Sequence, residues 1–319
     1  MKFSLVIPLA PGRNAEILDS IKQIDYSKKE FEIIVEEGTN PSDNRNKGAK
    51  KSKGEIIVFL DDDAVMDKNL LKEAELFFET HKEIDIVGGA QLTPKWQEGF
   101  AKISGYALSS KFGAWKMGRR YSQKEMTLNA DETMLTSANL LCRKEVMKKI
   151  KFDKSLFPGE DPKFIEDAKR AGFKIAYNPN LILYHKRRET IKALIKQISS
   201  YGRMRTKKES FLNTLKKPFF LIPSIFLIYL VMLFIFSGIN LTFTGFFIKE
   251  NISLINPSFN FLLFLPLIFY LYLNVLVSIY ESVKNRNLKS IFLLPFIFPI
   301  IHLSYGLGMI LGYFKKYKS

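Results

Sequence analysis

Three long apolar runs in the last third of the chain are the feature that most constrains its fold. Residues 218–240, 257–280 and 290–314 are free of charged side chains and rich in Phe, Ile and Leu. Each run reaches the ~20 residues that a helix needs to cross a bilayer, whereas buried core helices are usually shorter. We therefore predict a membrane region over 218–319 and a separate domain over 1–188, where no such run occurs.

Basic residues concentrate directly before the first apolar run. The formal net charge is +16, and most charged residues of the segment 189–217 are Lys or Arg. A basic segment beside a membrane is attracted to anionic headgroups by ~1 kcal/mol per charge, and it keeps its side of the membrane in the cytoplasm. Zinc-finger spacing and RNA-binding motifs are absent from the sequence, so membrane lipids rather than nucleic acid are the expected partners.

The orientation of the last apolar run stays open. After two spans, a cytoplasmic first domain places the basic loop 284–289 in the cytoplasm, as the positive-inside rule requires. A third full span would place the basic tail 315–318 outside, against that rule. Pro295 and Pro299 offer an alternative, a re-entrant hairpin that returns the tail to the cytoplasm. We expect a multi-pass protein of the cytoplasmic membrane, without a cleaved signal before the first strand.

Strand and helix patterns alternate through the first 190 residues. Apolar runs of strand length occur at 3–9, 31–37, 55–60 and 84–92, and helical patterns separate them at 16–24, 44–52 and 68–81. This alternation predicts an α/β domain with a mostly parallel central sheet. The stretch 93–132 loses periodicity and is long for a connector, so we expect a functional, partly mobile segment there.

The strand pattern at 56–60 runs directly into three aspartates, Asp61, Asp62 and Asp63. Five adjacent apolar positions indicate a strand buried on both faces, and its carboxyl end is where α/β sheets bind ligands. Carboxylates this close repel one another unless a cation neutralises them, and divalent cations prefer oxygen ligands. Asp61 and Asp63 leave an extended strand end on the same side, while Asp62 points elsewhere. The competing interpretation is a solvated turn or a helix N-cap.

Seven sequence elements with chemical meaning follow one another along the chain. They are VIP at 6–8, EIIVEEG at 32–38, RNKGAKKSKGEIIVFLDDD at 45–63, SANLLCRKEV at 137–146, GED at 159–161, AGFKIAYNPNLILYH at 171–185 and KQISSYGRMR at 196–205. On these elements residues 3–205 resemble the membrane-attached members of the inverting family 2 glycosyltransferases. The resemblance implies a nucleotide-diphosphosugar transferase (GT-A) fold.

The resemblance also implies a donor and metal site at the carboxyl ends of the strands. Its donor-binding residues would be Pro8, Leu9, Ala10, Glu36, Arg45, Asp61 and Asp62. The family usually has Asp where this chain has Glu36, which lengthens the contact to the base or ribose by one methylene. Asp61 and Asp63 match the family's DxD element, which holds Mg²⁺ or Mn²⁺ against the donor diphosphate. His185 is implied as a further metal or phosphate ligand, with a structural histidine as the alternative.

The implied catalytic centre is the GED element. Inverting sugar transfer needs a carboxylate that takes the proton from the acceptor hydroxyl. The resemblance assigns this role to Asp161, with Glu160 positioning the acceptor. Adjacent acids at a helix N-terminus are also ordinary capping and first-turn residues. Asn139, Arg203 and Arg205 complete the implied acceptor- and phosphate-binding set, and for the two arginines a purely electrostatic membrane anchor is the alternative.

The expected function is metal-dependent, inverting transfer of one sugar from a nucleotide-diphosphate sugar, preferably a UDP-sugar, to a lipid-linked saccharide. The reaction would take place at the cytoplasmic face of the membrane. The sequence lacks the QxxRW element of processive synthases, and three apolar segments are too few for a polymer channel, so a non-processive enzyme is expected. Two alternatives stay open: a transferase that charges polyprenyl phosphate itself, and a non-catalytic scaffold of a surface-polysaccharide assembly complex.

Overall fold

The computed structural model describes residues 1–156, 159–247 and 257–316. Within these ranges it describes the side chains of all residues except 238–247, 257–260 and Lys316. Lys318 of the predicted basic tail lies outside the described residues. The chain divides into two compact units, Met1–Thr190 and Ile191–Ser319. The basic segment that follows Glu189 is largely helical and belongs to the second unit.

The first unit is built on a seven-stranded sheet with the strand order β2-β1-β3-β6-β5-β7-β4. Its strands are β1 (Phe3–Leu9), β2 (Phe31–Glu37), β3 (Ile56–Leu60), β4 (Ala64–Met66), β5 (Ile86–Leu92), β6 (Asn139–Arg143) and β7 (Ile175–His185). The predicted α/β class is confirmed, but the sheet is mixed rather than mostly parallel. β6 runs antiparallel between β3 and β5, and β4 runs antiparallel to β7.

Helices cover both faces of this sheet. They are α1 (Ile17–Ile21), α2 (Pro41–Lys51), α3 (Leu70–Thr80), α4 (Gly99–Ser109), α5 (Lys111–Ala114), α6 (Lys144–Lys149) and α7 (Glu160–Arg170), with a 3-10 helix at Trp115–Tyr121. Alternate residues of one strand enter separate cores, since Leu60 packs with Leu70 on one face and Phe59 packs with Phe164 on the other. The apolar run of β3 is therefore buried on both sides, as its sequence predicts.

The stretch from Thr93 to Glu132 holds more regular structure than its sequence pattern suggests. It contains α4, α5 and the 3-10 helix. The hydroxyl of Tyr177 on β7 donates to backbone carbonyls of this stretch at Arg119 (2.9 Å) and Ser122 (2.7 Å). Short helices held by distant contacts leave little periodicity in the sequence, which explains why the pattern there is weak.

The second unit is entirely helical in its described part. Its helices are α8 (Ile191–Lys208), α9 (Phe211–Leu215), α10 (Ile222–Phe247), α11 (Pro257–Lys284) and α12 (Leu294–Lys316). By length and composition, Phe261–Lys284 and Leu294–Lys315 could cross a membrane, and Ile222–Ser237 is a shorter apolar helix. α12 continues as one helix through Pro299, so the re-entrant hairpin is not the arrangement found.

Glycines allow α8 and α12 to pack closely within the second unit. A Cβ atom on Gly202 would lie 2.2 Å from the carbonyl oxygen of Tyr305, and one on Gly308 would lie 2.1 Å from that of Ser199. Any larger residue at these positions would separate the helices. Small residues at helix contacts are typical of packing in which backbones approach each other directly.

Candidate functional site

The pairing of β4 with β7 creates the centre of the site. β4 begins directly after Asp63, and its first residue, Ala64, pairs with His185 at the end of β7. This pairing brings His185, which lies more than 100 positions later in the sequence, beside the aspartates that follow β3. The site therefore lies at the carboxyl ends of β3 and β7, where ligands bind in α/β sheets.

Asp61, Asp63 and His185 form a cluster whose ligand atoms all lie within 4.8 Å of one another. His185 Nε2 is 3.3 Å from Asp63 Oδ1 and 3.7 Å from Asp61 Oδ2. Two carboxylates and an imidazole are suitable ligands for Mn²⁺, and the carboxylates alone suit Mg²⁺. The residues present therefore fit a divalent cation at this position.

The pKa values of the cluster show how strongly its members interact. Burial alone would lower the pKa of His185, but hydrogen bonds and charge attraction from Asp61 and Asp63 outweigh burial and raise it to about 10. The hydrogen bond to His185 lowers the pKa of Asp63. Burial opposes a lower pKa for Asp61, yet His185 and Arg45 together depress it. A ligating imidazole must be neutral, so cation binding here would release a proton.

Arg45 connects this cluster to the beginning of α7. Its guanidinium is buried, with Nη2 3.1 Å from Asp61 Oδ1 and Nη1 2.8 Å from Glu160 Oε1. Burial alone would lower the pKa of Arg45, but the carboxylates of Asp161, Asp61 and Glu160 raise it. A single buried cation thus holds acidic groups from two different elements in one place.

The predicted GED element forms the N-terminus of α7. The helix begins at Glu160, and Gly159 precedes it with a positive φ of 124° that favours glycine. Burial and the neighbouring Asp161 raise the pKa of Glu160 to about 7, against the attraction of Arg45. Asp161 Oδ1 is buried and has no hydrogen-bond partner among the described residues. An unpartnered carboxylate oxygen is available to accept a proton or hydrogen bond from a ligand.

Arg13 is a member of the site that the sequence pattern did not reveal. It follows the Pro11–Gly12 turn after β1, and its guanidinium Nε is 3.2 Å from Asp62 Oδ2. Its Nη2 atom is 3.5 Å from Asp63 Oδ2. Burial raises the pKa of Asp62 despite this cation. The only signal in the sequence was a basic residue in the first strand–helix loop, which is the kind of loop that contacts phosphates.

Some of the implied donor-binding residues in and after β1 and β2 already form contacts within the protein. Pro8 is buried, Ala10 is exposed, and the carbonyl oxygen of Leu9 accepts from the amide of Gly38 at 2.9 Å. Glu36 is buried, with its Oε1 atom 2.6 Å from Lys51 Nζ. A nucleotide base at this edge could therefore reach Ala10 directly, but it would have to compete with Lys51 for Glu36.

Two implied acceptor residues already form buried contacts within the protein. Asn139 is fully buried, and its Nδ2 atom donates to the carbonyl oxygens of Ala90 and Leu181 where the pairing of β5 with β7 shifts in register. The amide bridges a gap in the sheet and is not open to an acceptor. Arg205, in the second unit, is buried too. Its Nε atom is 2.8 Å from Glu209 Oε1 and its guanidinium lies 3.4 Å from the ring centre of Phe220.

Arg203 differs from Arg205 in its surroundings. It lies on α8 in the second unit and is exposed. The structure therefore leaves Arg203 as the one member of the arginine pair that is accessible to a phosphate.

The domain is a mixed α/β sheet with an Asp–Asp–His cluster at the carboxyl ends of its strands, and this cluster has the ligand types that suit a divalent cation. Residues 4–199 match the family described as glycosyltransferase like family 2, so the chain belongs to this family and its first unit is a glycosyltransferase domain. Among curated proteins it is similar to the poly(ribitol-phosphate) beta-N-acetylglucosaminyltransferase TarS of Staphylococcus aureus. The two are 28% identical over 111 residues, covering 25% of this chain and 19% of that protein, about a fifth of its length.

One solved structure supports the fold. A mannosyltransferase from Pyrobaculum calidifontis, in complex with GDP-Man and Mn²⁺, superposes with a TM-score of 0.55 and 11% identity, covering 99% of this chain and 88% of that one. A structure of S. aureus TarS residues 1–349 with UDP-GlcNAc gives a TM-score of 0.45 and 18% identity, covering 64% and 66% of the two chains. At these identities the likeness concerns the fold alone.

Proposed function

We propose that this chain transfers one sugar, with inversion, from a nucleotide-diphosphate sugar to a hydroxyl group of a lipid-linked saccharide. The observation that carries the proposal is the buried, unpartnered Oδ1 atom of Asp161. The charge of Asp161 raises the pKa of Arg45, and Arg45 forms an ion pair with Asp61 of the Asp–Asp–His cluster. A proton acceptor and a diphosphate-binding cluster are thereby linked through one buried side chain.

Asp161 would act as the general base. Its carboxylate takes the proton from the acceptor hydroxyl while the acceptor oxygen forms a bond to the anomeric carbon. The bond between that carbon and the diphosphate oxygen breaks on the opposite side, and the nucleoside diphosphate leaves with the electron pair. The freedom of Oδ1 supports this role, because a carboxylate already engaged in hydrogen bonds is a weaker base.

Asp61, Asp63 and His185 would hold the divalent cation of the donor, Mg²⁺ or Mn²⁺. That cation supplies positive charge to the departing diphosphate. Arg13, which is half-exposed beside Asp62 and Asp63, would bind the same diphosphate through its guanidinium. UDP-sugars are the first donors to test and GDP-sugars the second, because a glycosyltransferase of the same fold binds GDP-Man.

The lipid-linked acceptor and the membrane location are supported by the second unit. Its apolar helices expose large side chains such as Phe234, Phe264 and Phe292. We propose a multi-pass attachment through α10–α12, with the glycosyltransferase domain in the cytoplasm on the side of the basic helix α8.

The test compares Asp161→Asn with Asp167→Asn, a matched change on the same helix α7. The amide is nearly isosteric but cannot take the proton, so Asp161→Asn should bind the donor normally and lose about 10²–10⁴-fold in transfer. Asp167, which pairs with Lys163, should tolerate the change. Calorimetric nucleotide binding and transfer to a polyprenyl-diphosphate-linked saccharide are measured for both variants.

Two outcomes would contradict the proposal. If Asp161→Asn transfers at the wild-type rate while Glu160→Gln is inactive, Glu160 is the base. If Asp161→Asn stays active toward polyprenyl phosphate, whose oxygen is already ionised and needs no base, the enzyme charges the carrier lipid itself.

A further inference from the structure

The first unit contains a cleft outside the Asp–Asp–His cluster. It has a volume of about 350 Å³ and is lined chiefly by Trp96, Glu98, Phe100, Lys186 and Glu189. Small-molecule sites in proteins usually measure ~300–1,000 Å³. One lining residue, Lys186, directly follows the cluster residue His185 in the sequence. None of the five lining residues belongs to the machinery described above.

An exposed aromatic ring dominates this cleft. Trp96 is 59% exposed, although it is one of the largest apolar side chains. Its ring centre is 6.4 Å from that of Tyr184, so a neighbouring ring limits its movement. Phe100 adds a half-buried aromatic surface from the first turn of α4. An exposed indole held by a neighbour offers a flat apolar surface to the C–H face of a ring-shaped ligand.

The polar groups of the cleft are predominantly acceptors. Glu98 and Glu189 are exposed, and neither forms an ion pair within the described part of the chain. The only cation that lines the cleft, Lys186, is engaged with Glu16 at 2.6 Å between Nζ and Oε2. The cleft therefore has a negative balance, which repels phosphates and suits a neutral ligand rich in hydroxyl donors.

Buried hydrogen bonds fix the two segments that form the cleft. The Gln97 side chain donates to the carbonyl oxygen of Arg187 and accepts from its amide, both at 2.8 Å. The guanidinium of Arg187 is buried, lies 4.5 Å from the ring centre of Tyr121 and donates to Thr93. The loop that carries Trp96 is thus tied to the segment that follows His185. A cleft whose walls are already ordered loses little conformational entropy when it binds a ligand.

We propose that this cleft binds a neutral pyranose of the acceptor saccharide, with its sugar ring stacked on Trp96 and its hydroxyls donating to Glu98 and Glu189. As an acceptor subsite it rests on the proposed function, which needs a saccharide beside the donor site. The cleft disfavours a phosphate-rich acceptor chain at this position, because its lining carries two carboxylates, Glu98 and Glu189, and one cation, Lys186, that is paired with Glu16.

The sequence offers a direct test, since Trp96 and Trp115 are the two tryptophans of the chain. In the full-length Trp115→Phe protein, Trp96 is the only tryptophan that reports by fluorescence. We expect cellobiose or chitobiose to shift its emission saturably, with dissociation constants of about 1 mM or higher. Adding Glu98→Gln should weaken this binding about three- to tenfold, as expected for the loss of a charge-assisted hydrogen bond. The matched Trp96→Phe protein, which keeps Trp115, should show no saccharide-dependent change.

Three results would overturn the inference. The first is the absence of a saturable change with either disaccharide up to its solubility limit. The second is tighter binding of ribitol 5-phosphate than of the neutral sugars. The third is an equal response of both single-tryptophan proteins, which would indicate unspecific effects. Circular dichroism of each protein verifies that the substitutions leave the fold intact.

Nucleotide binding measured by calorimetry on the same protein separates this inference from the proposed function. UDP or GDP binding with Mn²⁺, but no saccharide binding, would overturn the cleft and leave the transferase proposal standing. Saccharide binding without nucleotide binding would support the cleft and contradict the donor site.

Discussion

In Met1–Thr190 the large aromatic side chains Phe3 and Phe59 are fully buried, whereas in Ile191–Ser319 Phe234 is 80% exposed and Phe292 is 78% exposed. Several polar side chains of the second unit are, by contrast, buried. Ser282 is fully buried and bonded to Ser290, and Asn274 donates to the carbonyl oxygen of Pro295. Apolar groups outside and satisfied polar groups inside are the arrangement expected when the surrounding solvent is hydrocarbon.

The two units therefore use charge for different purposes. In the first unit, charged groups gather at the edge of the sheet, and Asp161 Oδ1 remains without a partner among described residues. In the second unit, local ion pairs hold buried charges, Arg205 with Glu209 directly after α8 and Glu281 with Lys284 within α11. An unpartnered carboxylate oxygen is suited to binding a ligand, and a local ion pair offsets part of the cost of burying a charge.

The largest effect that follows is expected for Asp63→Ala in the first unit. Loss of one cation ligand should lower sugar transfer on the order of 10³-fold, since a bound metal supplies several kcal/mol to the transition state. The fold should persist, because Asp63 contributes to the cluster and not to either core. Transfer rates and Mn²⁺-dependent nucleotide binding are compared with Asp19→Ala, a change of an exposed acid on α1. Full activity of Asp63→Ala, or activity in excess chelator, would contradict a metal at this cluster.

The sequence predicted much of the first unit because its strands are continuous apolar runs. β1, β2 and β3 occur where those runs lie, and the burial of β1 and β3 on both faces follows from their continuous apolar residues. β2, at the edge of the sheet, leaves Ile33 and Val35 exposed. Strand direction did not follow, because a local pattern is the same for parallel and antiparallel neighbours. β6 inserts between β3 and β5 from a distant part of the chain, and nothing in its own residues indicates its direction.

Among the site residues, the sequence located those next to strand ends and missed those that depend on long-range contacts. Arg13 is 49 positions away from its partner Asp62, and a surface arginine in a loop carries no signal of that pairing. The burial of Asn139 and Arg205 was not evident from the sequence for the same reason. Both have residue types suited to polar ligands, but their burial depends on elements that pack around them, which a motif does not contain.

A smaller effect, on stability rather than activity, is expected in the second unit for Arg205→Gln. Removing the cation breaks the ion pair with Glu209 and removes the contact with the Phe220 ring. Breaking a buried ion pair costs about 3–5 kcal/mol. The exposed neighbour Arg203 provides the matched variant, and Arg203→Gln should stay within about 0.5 kcal/mol of wild type.

Thermal unfolding in detergent measures both arginine variants, and binding to vesicles with and without anionic lipid measures their surface role. Equal stability of the two variants would mean that Arg205 is not held as the structure shows. If only Arg205→Gln loses vesicle binding, then Arg205 rather than the exposed Arg203 makes the lipid contact, contrary to our expectation.

The smallest effect concerns Glu160, whose carboxyl is buried beside a cation but is not held ionised by it. Its pKa is raised from 4.5 to about 7, with burial as the main cause. Between these two pH values the folded chain keeps a proton that the unfolded chain has released, so the free energy of unfolding should fall as pH rises. Relative to Glu160→Gln, wild type should lose on the order of 3 kcal/mol across this window. Urea unfolding at several pH values measures the difference, with exposed Glu37→Gln as the control. A difference that instead grows with pH would mean that Arg45 keeps Glu160 ionised.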